Sequence, residues 1–194
     1  MGHISLSQMV EKLATGPVLV SFPTDTVPAL ATRPEYADLI YAAKQRSPDK
    51  PLILMGASLT DLLPYVSGDA AALTTWTQTV SQHWPGQLTL VLPSSELAPP
   101  LLNPQGTGTL GIRVPNHPIA LELLAQTGPL ATTSANLSGQ PPLTEPAAIA
   151  RTFPDVVTLP PEAFTVQANS GMPSTVVKWT GQGWQVLRQG QIRL

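Results

Sequence analysis

The chain alternates between segments with helical spacing and segments with strand-like spacing of apolar residues. Residues 36–46 place their apolar side chains on one side of a helix, as in an amphipathic helix packed on a core. Residues 5–14 begin with the Ser-x-x-Gln spacing of a capping box, which also predicts a helix. The short apolar runs at 17–22 and 51–55 predict strands instead.

The same patterns assign the remaining segments. They predict helices at residues 59–65, 69–84, 117–126 and 145–153, and strands at 87–92, 109–114, 129–133, 156–159, 175–179 and 184–188. Interleaved helices and strands are typical of an α/β sheet, and the Gly-Gln-Gly turn between the last two strands indicates a hairpin. We therefore expect a single α/β domain over residues 1–194, built on a mixed sheet of parallel and antiparallel strands.

Composition and charge exclude several classes of function. Only 11% of the residues are charged and the net charge is -2, which argues against a protein that wraps nucleic acid broadly. The absence of cysteine excludes disulfides, thiolate nucleophiles and cysteine metal sites, and three widely spaced histidines argue against a histidine metal site. No apolar segment approaches the roughly 20 residues of a membrane helix, and no signal peptide is visible. We expect a cytoplasmic protein without a membrane partner.

Basic side chains cluster in one short segment. Of the ten lysines and arginines, Lys44, Arg46 and Lys50 lie within seven positions, at the end of a predicted helix and before a strand. Arginine forks and lysine ammonium groups both suit phosphate oxygens. The alternative is a solvated helix end, where the macrodipole favours cations. The sequence therefore predicts either a polyphosphate site or an exposed helix terminus here.

Two loops rich in hydroxyl groups follow predicted strands, where α/β sheets usually bind ligands. Residues 23–27 carry Thr24 and Thr26, whose hydroxyls suit an oxyanion, although Asp and Thr are also ordinary turn residues. Residues 132–139 combine hydroxyl and amide groups with a final glycine, a composition that can present donors to phosphate. The alternative for this second loop is a plain polar turn.

Arg113 stands among apolar residues in a predicted strand. Strand alternation places it on the same face as Thr109 and Gly111. A buried arginine needs a partner, and the sequence offers a ligand carboxylate or, as structural partners, Asp25 or Glu122.

Six motifs in order, between about residues 18 and 188, resemble the YrdC-like family of threonylcarbamoyl-AMP synthases. They are Pro23-Thr24-Asp25-Thr26-Val27, Lys44-Gln45-Arg46 with Lys50-Pro51-Leu52, Trp84-Pro85-Gly86-Gln87-Leu88-Thr89, Gly111-Ile112-Arg113-Val114-Pro115 with His117-Pro118, Ser134-Ala135-Asn136-Leu137-Ser138-Gly139, and Pro173-Ser174-Thr175-Val176-Val177. The resemblance implies the short, single-domain form of the family, with a twisted mixed sheet, flanking helices and a concave basic cavity.

The resemblance also implies an activity. Enzymes of this family make threonylcarbamoyl-AMP and pyrophosphate from L-threonine, bicarbonate or carbon dioxide, and ATP. The product serves the threonylcarbamoyladenosine modification of tRNA through a downstream threonylcarbamoyl transferase complex. Mg²⁺ is then expected to bind through the ATP phosphates, because the chain offers no carboxylate cluster to hold it. Weak tRNA or RNA binding is a further expectation.

Residue roles follow from the resemblance alone. It implies catalytic roles for Lys44, Arg46, Ser134 and Asn136, and no metal ligands. It implies threonine binding by Thr24, Arg113, Thr133 and Ser174, with Arg113 on the carboxylate. It implies ATP binding by Arg46, Lys50, Thr109, Ser134, Ala135, Asn136, Leu143 and Arg188. The alternative for Arg188 is simple exposure near the end of the chain.

The chain departs from the family pattern at two places. Residues 28 and 29 are Pro and Ala where the family commonly has Tyr and Gly, and Lys178 stands where the family often has Asp. Pro28 removes a backbone donor, and Ala29 takes a positive φ less readily than glycine. We therefore expect a reshaped floor of the threonine and bicarbonate pocket, with activity retained.

Two other functions remain open on the sequence. One is an RNA-binding module that uses the same basic concavity, against which the net charge of -2 speaks. The other is a YrdC-like paralogue that acts on another carbamoylation-type substrate. The intact Lys-x-Arg and Ser-x-Asn motifs favour the synthase over such a paralogue.

Overall fold

The structure, a computed structural model, describes residues 3–194. Its strands are β1 Leu19–Phe22, β2 Ala29–Thr32, β3 Ile53–Met55, β4 Leu88–Pro93, β5 Thr109–Arg113, β6 Leu130–Ser134, β7 Val156–Thr158, β8 Thr175–Trp179 and β9 Trp184–Arg188. Its α-helices are α1 Leu6–Thr15, α2 Asp38–Lys44, α3 Leu59–Leu62, α4 Ala70–His83, α5 Pro118–Thr127 and α6 Pro146–Thr152. Short 3₁₀ turns lie at Pro34–Tyr36, Leu63–Tyr65, Pro100–Leu102 and Pro161–Phe164.

All nine strands form one mixed sheet in the order β7-β1-β2-β6-β3-β5-β4-β8-β9. The pairs β1 with β7, β3 with β5 and β4 with β8 are parallel. The other five neighbouring pairs are antiparallel, including the β8–β9 hairpin. The predicted α/β class, with a mixed sheet and a late hairpin, is confirmed.

The two sides of the central strands have different surroundings. On β5, Leu110 and Ile112 are buried in the core, while Thr109, Gly111 and Arg113 line a cavity. The predicted shared face of these last three residues is therefore confirmed. Burying each large aliphatic side chain contributes about 1.5–3 kcal/mol, so the core face fixes the register that places the polar face in the cavity.

The helix predicted at residues 36–46 is shorter than expected. It is preceded by a 3₁₀ turn and ends at Lys44, because Gln45 adopts a left-handed conformation with φ 48°. This conformation is a common way to terminate a helix. As a result Lys44 belongs to the helix, whereas Arg46 lies after the helix, where the backbone has changed direction at Gln45.

Strand β2, Ala29–Thr32, was not predicted from the sequence. All four of its residues are buried, because it pairs with β1 on one side and β6 on the other. A short Ala-Leu-Ala-Thr run after a proline shows neither alternation nor an excess of β-branched residues, so its strand character comes from its neighbours. Within the described residues, no helix has both the length and the apolarity required to cross a bilayer.

Candidate active site

A cavity of about 410 Å³ opens on one face of the sheet, and we call it the central cavity. Its floor comes from β3, β4, β5, β6 and β8, and the loops before β2 and β8 add further walls. At the middle of the floor lies Gly111, between Ile53 of β3 and Val91 of β4. Because glycine has no side chain, the centre of the floor stays open.

The charged side chains that line the central cavity are all basic. They are Arg46, Arg113, Lys178 and Arg188, and the described lining includes no Asp or Glu. Burial lowers the pKa of the three arginines from its ordinary value, since desolvation disfavours the charged form. Cations held at such a cost without a carboxylate inside the cavity are suited to an anionic ligand.

Arg113 is fixed by three hydrogen bonds. It donates from Nη2 to Oδ1 of Asp25 at 2.7 Å, from Nη1 to Oγ1 of Thr26 at 2.9 Å, and from Nε to the carbonyl oxygen of Gly86 at 3.0 Å. Both members of the ion pair are buried, at 3% and 4% exposure. Asp25, not Glu122, is therefore the structural partner. Guanidinium has five N–H donors, so two remain for a ligand in the cavity.

A second polar group adjoins Arg113. The hydroxyls of Thr89 and Ser174 lie 2.8 Å apart, and Arg188 donates from Nη2 to Oγ of Ser174 at 3.2 Å and from Nε to the Ser174 carbonyl at 3.0 Å. Burial is the main cause of the lowered pKa of Arg113, and the charge of Arg188 acts in the same direction. Arg188 is the most exposed of the four cavity cations, but its guanidinium group is partly buried against Ser174, which holds it in place.

Arg46 reaches the central cavity from the opposite side. It donates from Nε to the carbonyl of Lys50 at 2.9 Å and from Nη2 to the carbonyl of Pro51 at 3.0 Å. Lys50 is exposed and does not line the cavity, so its observed contact with the site is through its backbone. The segment after α2 therefore holds one arginine fork at the cavity edge.

Lys44 points into the protein, towards the loop of residues 134–140, which we call the Ser-Ala-Asn loop. Its side chain is buried, and Nζ donates to the carbonyl of Ser134 and, at 3.2 Å, to Oδ1 of Asn136. Ser134 donates from Oγ to the same Oδ1 at 2.5 Å, and Asn136 donates onward to the carbonyls of Leu137 and Gln140, both at 2.8 Å. Lys44 thus ties α2 to the loop that brings Ser134 to the cavity.

Burial lowers the pKa of Lys44 to about 7, and the nearby charge of Arg46 acts in the same direction. The unfolded chain keeps the proton up to an ordinary pKa of 10.5, so between pH 7 and 10.5 the unfolded state binds more protons. The contribution of Lys44 to the free energy of unfolding therefore increases as the pH rises from 7 to 10.5, with a slope of up to about 1.4 kcal/mol per pH unit.

We expect this contribution to vanish in Lys44→Met. The unfolding free energy of the wild type, minus that of the variant, should increase between pH 7 and 10 in urea titrations, because only the wild type has the titrating group. Lys12→Met, on the exposed side of α1, is the matched control and should leave the pH dependence unchanged. If the unfolding free energies of the wild type and Lys44→Met changed with pH in parallel, the lowered pKa of Lys44 would be contradicted.

The structure brings seven of the predicted site residues together. The central cavity is lined by Arg46, Thr109, Arg113, Thr133, Ser134, Ser174 and Arg188. The other predicted residues lie outside its lining: Thr24, Lys44, Lys50, Ala135, Asn136 and Leu143. These six contact the lining residues or support the loops that carry them.

Thr24 and the chain segment after it show how this support works. Thr24 is buried and donates from Oγ1 to the carbonyl of Val27 at 2.7 Å, and its oxygen accepts from the backbone of Thr26 at 3.2 Å. These contacts form a tight turn, the alternative that the sequence left open. The turn presents Thr26 to the cavity and to Arg113.

The Pro28–Ala29 departure fits the backbone without strain. Pro28 accepts a hydrogen bond from Ala135 through its carbonyl at 2.9 Å, and Ala29 lies in β2 opposite Ser134. Among the non-glycine residues that the structure describes, Gln45 has the left-handed φ, and Ala29 does not. The carbonyl of Ala135 also accepts from the backbone N–H of Leu143 at 2.8 Å, so backbone hydrogen bonds join Ala135 to both Pro28 and Leu143 outside the cavity lining.

Sequence reasoning missed several cavity residues on β3, β4 and β8. Ile53 and Met55 alternate on β3, Thr89 and Val91 alternate on β4, and Val176 shares the cavity face of β8 with Lys178, which the sequence had already singled out as a departure from the family pattern. Their spacing of two residues was a visible signal, but which face of these strands is covered depends on the whole sheet.

Comparison with models of known protein families shows to which family the chain belongs. The family model for Sua5, YciO and YrdC proteins, described as telomere recombination, matches residues 12–190. The chain belongs to the Sua5/YciO/YrdC family. The family resemblance of its six motifs is thereby confirmed.

Individual relatives support this placement. A threonylcarbamoyl-AMP synthase of Photobacterium profundum is 36% identical over 142 residues, which cover 71% of this chain and 75% of that protein. The threonylcarbamoyl-AMP synthase of Pyrococcus abyssi is 35% identical over 183 residues, 91% of this chain and 51% of that protein. The crystal structure of P. abyssi Sua5 with L-threonine matches 96% of this chain and 55% of that chain, with a TM-score of 0.80 and 30% identity. The chain therefore spans about half the length of the P. abyssi proteins.

Proposed function

We propose that this member of the family is a threonylcarbamoyl-AMP synthase. It would form threonylcarbamoyl-AMP and pyrophosphate from L-threonine, bicarbonate or carbon dioxide, and ATP. The observation that carries this proposal is the central cavity, where three arginines and a lysine meet several hydroxyl groups without a lining carboxylate. Relatives with this name and a P. abyssi Sua5 crystal structure with L-threonine support the choice of substrates.

Threonine would bind at the end of the cavity that holds Arg113. The two free N–H groups of this arginine suit a carboxylate, and the Thr89–Ser174 hydroxyl pair lies beside it. Thr133 would contact threonine from β6. Thr24 would act indirectly, because it stabilises the turn that presents Thr26 to Arg113. Asp25 keeps the guanidinium oriented, so that binding does not have to order this side chain.

ATP would occupy the other end of the cavity. Thr109 lies four residues from Arg113 on β5, or about 13 Å along the strand, which leaves room for both substrates. Arg46 and Ser134 would contact the nucleotide there, with Lys50, Ala135, Asn136 and Leu143 supporting through backbone or loop contacts. Lys44 would position Ser134, and Arg188 would serve the nucleotide from the mouth of the cavity.

The reaction needs positioning and cations, and no covalent intermediate with the protein. The amine nitrogen of threonine would first bond to the carbon of carbon dioxide and lose a proton, which gives N-carboxy-threonine. A carboxylate oxygen of this carbamate would then bond to the α-phosphorus of ATP. The bond from this phosphorus to the oxygen that bridges to the β-phosphate would break, and pyrophosphate would leave with the electron pair. Negative charge grows on the phosphate oxygens during this step, where Arg46 and Arg188 would stabilise it.

Mg²⁺ would enter bound to the ATP phosphates. The described residues contain no group of three or more His, Cys, Asp or Glu that could hold a metal ion, and the cavity lining supplies cations instead of carboxylates. Such an ion neutralises phosphate charge when bound.

We further propose that residues 1–194 act as one domain and that the reaction takes place in the cytoplasm. A threonylcarbamoyl transferase complex would then use the product to modify tRNA. The chain itself would bind tRNA weakly.

A substrate-omission assay tests the proposed activity. With ATP, L-threonine and bicarbonate all present, the protein should release pyrophosphate, and leaving out either threonine or bicarbonate should reduce the rate to background. Pyrophosphate release that is indifferent to threonine would argue against the synthase. RNA affinity that falls steeply with salt, without threonine-dependent turnover, would favour the RNA-binding module instead.

A further inference from the structure

Lys178 lines the central cavity, but it has no assigned role in the proposed reaction. It lies on β8 between two residues of the core side, Val177 and Trp179, so that its side chain shares the cavity face with Val176. Parallel pairing of β8 with β4 places it directly beside Val91, whose other neighbour is Gly111. Lys178 therefore borders the open centre of the floor.

The other three cations of the central cavity have protein partners. Arg113 is paired with Asp25, Arg46 donates to two backbone carbonyls, and Arg188 donates to Ser174. Within residues 3–194, no hydrogen bond or ion pair is formed by the ammonium group of Lys178. It is half-buried, so a positive charge with no acceptor from the protein stands at the edge of the floor.

The position of Lys178 complements that of Arg46. Lys178 and Ile53 lie in one row across the sheet, three strands apart, which corresponds to about 14 Å. Arg46 is held at the β3 side of this row by the carbonyl of Pro51. Cations therefore stand on both sides of a gap whose centre is a glycine, and an extended polyanion fits such a gap better than a single carboxylate does.

We propose that Lys178 is a phosphate-binding residue that contacts the phosphates of the nucleotide from the β8 side, opposite Arg46. The proposal rests on nucleotide binding in the central cavity, which is part of the proposed function, but it does not require that the reaction takes place. The competing explanation is a solvated lysine whose aliphatic stem covers Val91 and Val176. That explanation predicts no change in ligand affinity when the charge is removed.

Equilibrium binding separates the two explanations. We would measure the affinities of ATP, pyrophosphate and adenosine for the wild type, Lys178→Met and Lys178→Arg, with Lys12→Met as an exposed control. Methionine keeps the stem and removes the charge, so ATP and pyrophosphate should each bind about tenfold more weakly, as expected for loss of one charged hydrogen bond at a half-exposed site. Adenosine has no phosphate and should bind equally well. Lys178→Arg should retain most of the affinity.

Two results would overturn the inference. Unchanged ATP and pyrophosphate affinity in Lys178→Met would show a solvated lysine, and an equal loss for adenosine would show damage to the pocket. If the wild type bound ATP but made no threonylcarbamoyl-AMP, the proposed function would fail while the tenfold difference could still be measured. In turnover, Lys178→Met should raise the KM for ATP and leave the KM for threonine unchanged.

Discussion

Arg46→Met should lower threonine-dependent pyrophosphate release by about 100- to 1000-fold, the usual effect of removing one preorganised donor that stabilises transition-state charge. Arg46 lines the cavity at its nucleotide end, and its fork is fixed by the carbonyls of Lys50 and Pro51. These two bonds hold the fork without neutralising it, so its full charge is available to phosphate. Initial rates at saturating ATP and threonine measure the effect on kcat.

The same variant should remain folded. Arg46 is half-buried, and the loss of two hydrogen bonds to backbone carbonyls costs about 1–3 kcal/mol. Arg151→Met, at an exposed position of α6, removes a charge that does not line the cavity and should keep full activity. Near-normal turnover of Arg46→Met, with Arg151→Met also active, would show that Arg46 does not take part in the reaction.

Arg113→Met should impair both stability and activity. The substitution leaves the carboxylate of Asp25 buried without its partner, and breaking a buried ion pair in this way typically costs about 3–5 kcal/mol. It also removes the donors proposed for the threonine carboxylate. Urea unfolding should show the loss of stability, and pyrophosphate release should fall to background at any threonine concentration.

A second substitution separates the two effects. In Asp25→Asn/Arg113→Met the buried charge is gone, so most of the lost stability should return. Activity should not return, because the donors to threonine are still missing. Recovery of threonine-dependent turnover in the double variant would mean that Arg113 matters only as the partner of Asp25.

The fold class followed from sequence because most strands and helices carry local signals. The Ser5 capping box, the alternation around Arg113 and the glycine turn of the last hairpin all appear in the structure as expected. Strand β2 gives no such signal, since four buried residues between two neighbouring strands need no alternation. Its strand character is decided by the sheet and not by the segment.

The sequence located several side chains that line the central cavity, but it did not give the direction in which each side chain points. The sequence placed Lys44 and Arg46 in one cluster, but the left-handed Gln45 between them turns Lys44 to the Ser-Ala-Asn loop and Arg46 to the cavity. The choice between Asp25 and Glu122 as partner of Arg113 also required the tertiary structure. Lys178 was visible as a departure from the family pattern, but its position in the cavity depends on the pairing of β8 with β4.

The central claim is that one cavity joins threonine, a one-carbon unit and AMP. The most direct measurement supplies ATP, L-threonine and carbon-labelled bicarbonate to the protein and identifies the nucleotide products by mass spectrometry. We predict a threonylcarbamoyl adenylate that carries the label, formed in equal amount to pyrophosphate. ATP turnover that yields only unlabelled AMP, or no labelled adenylate at all, would contradict the account.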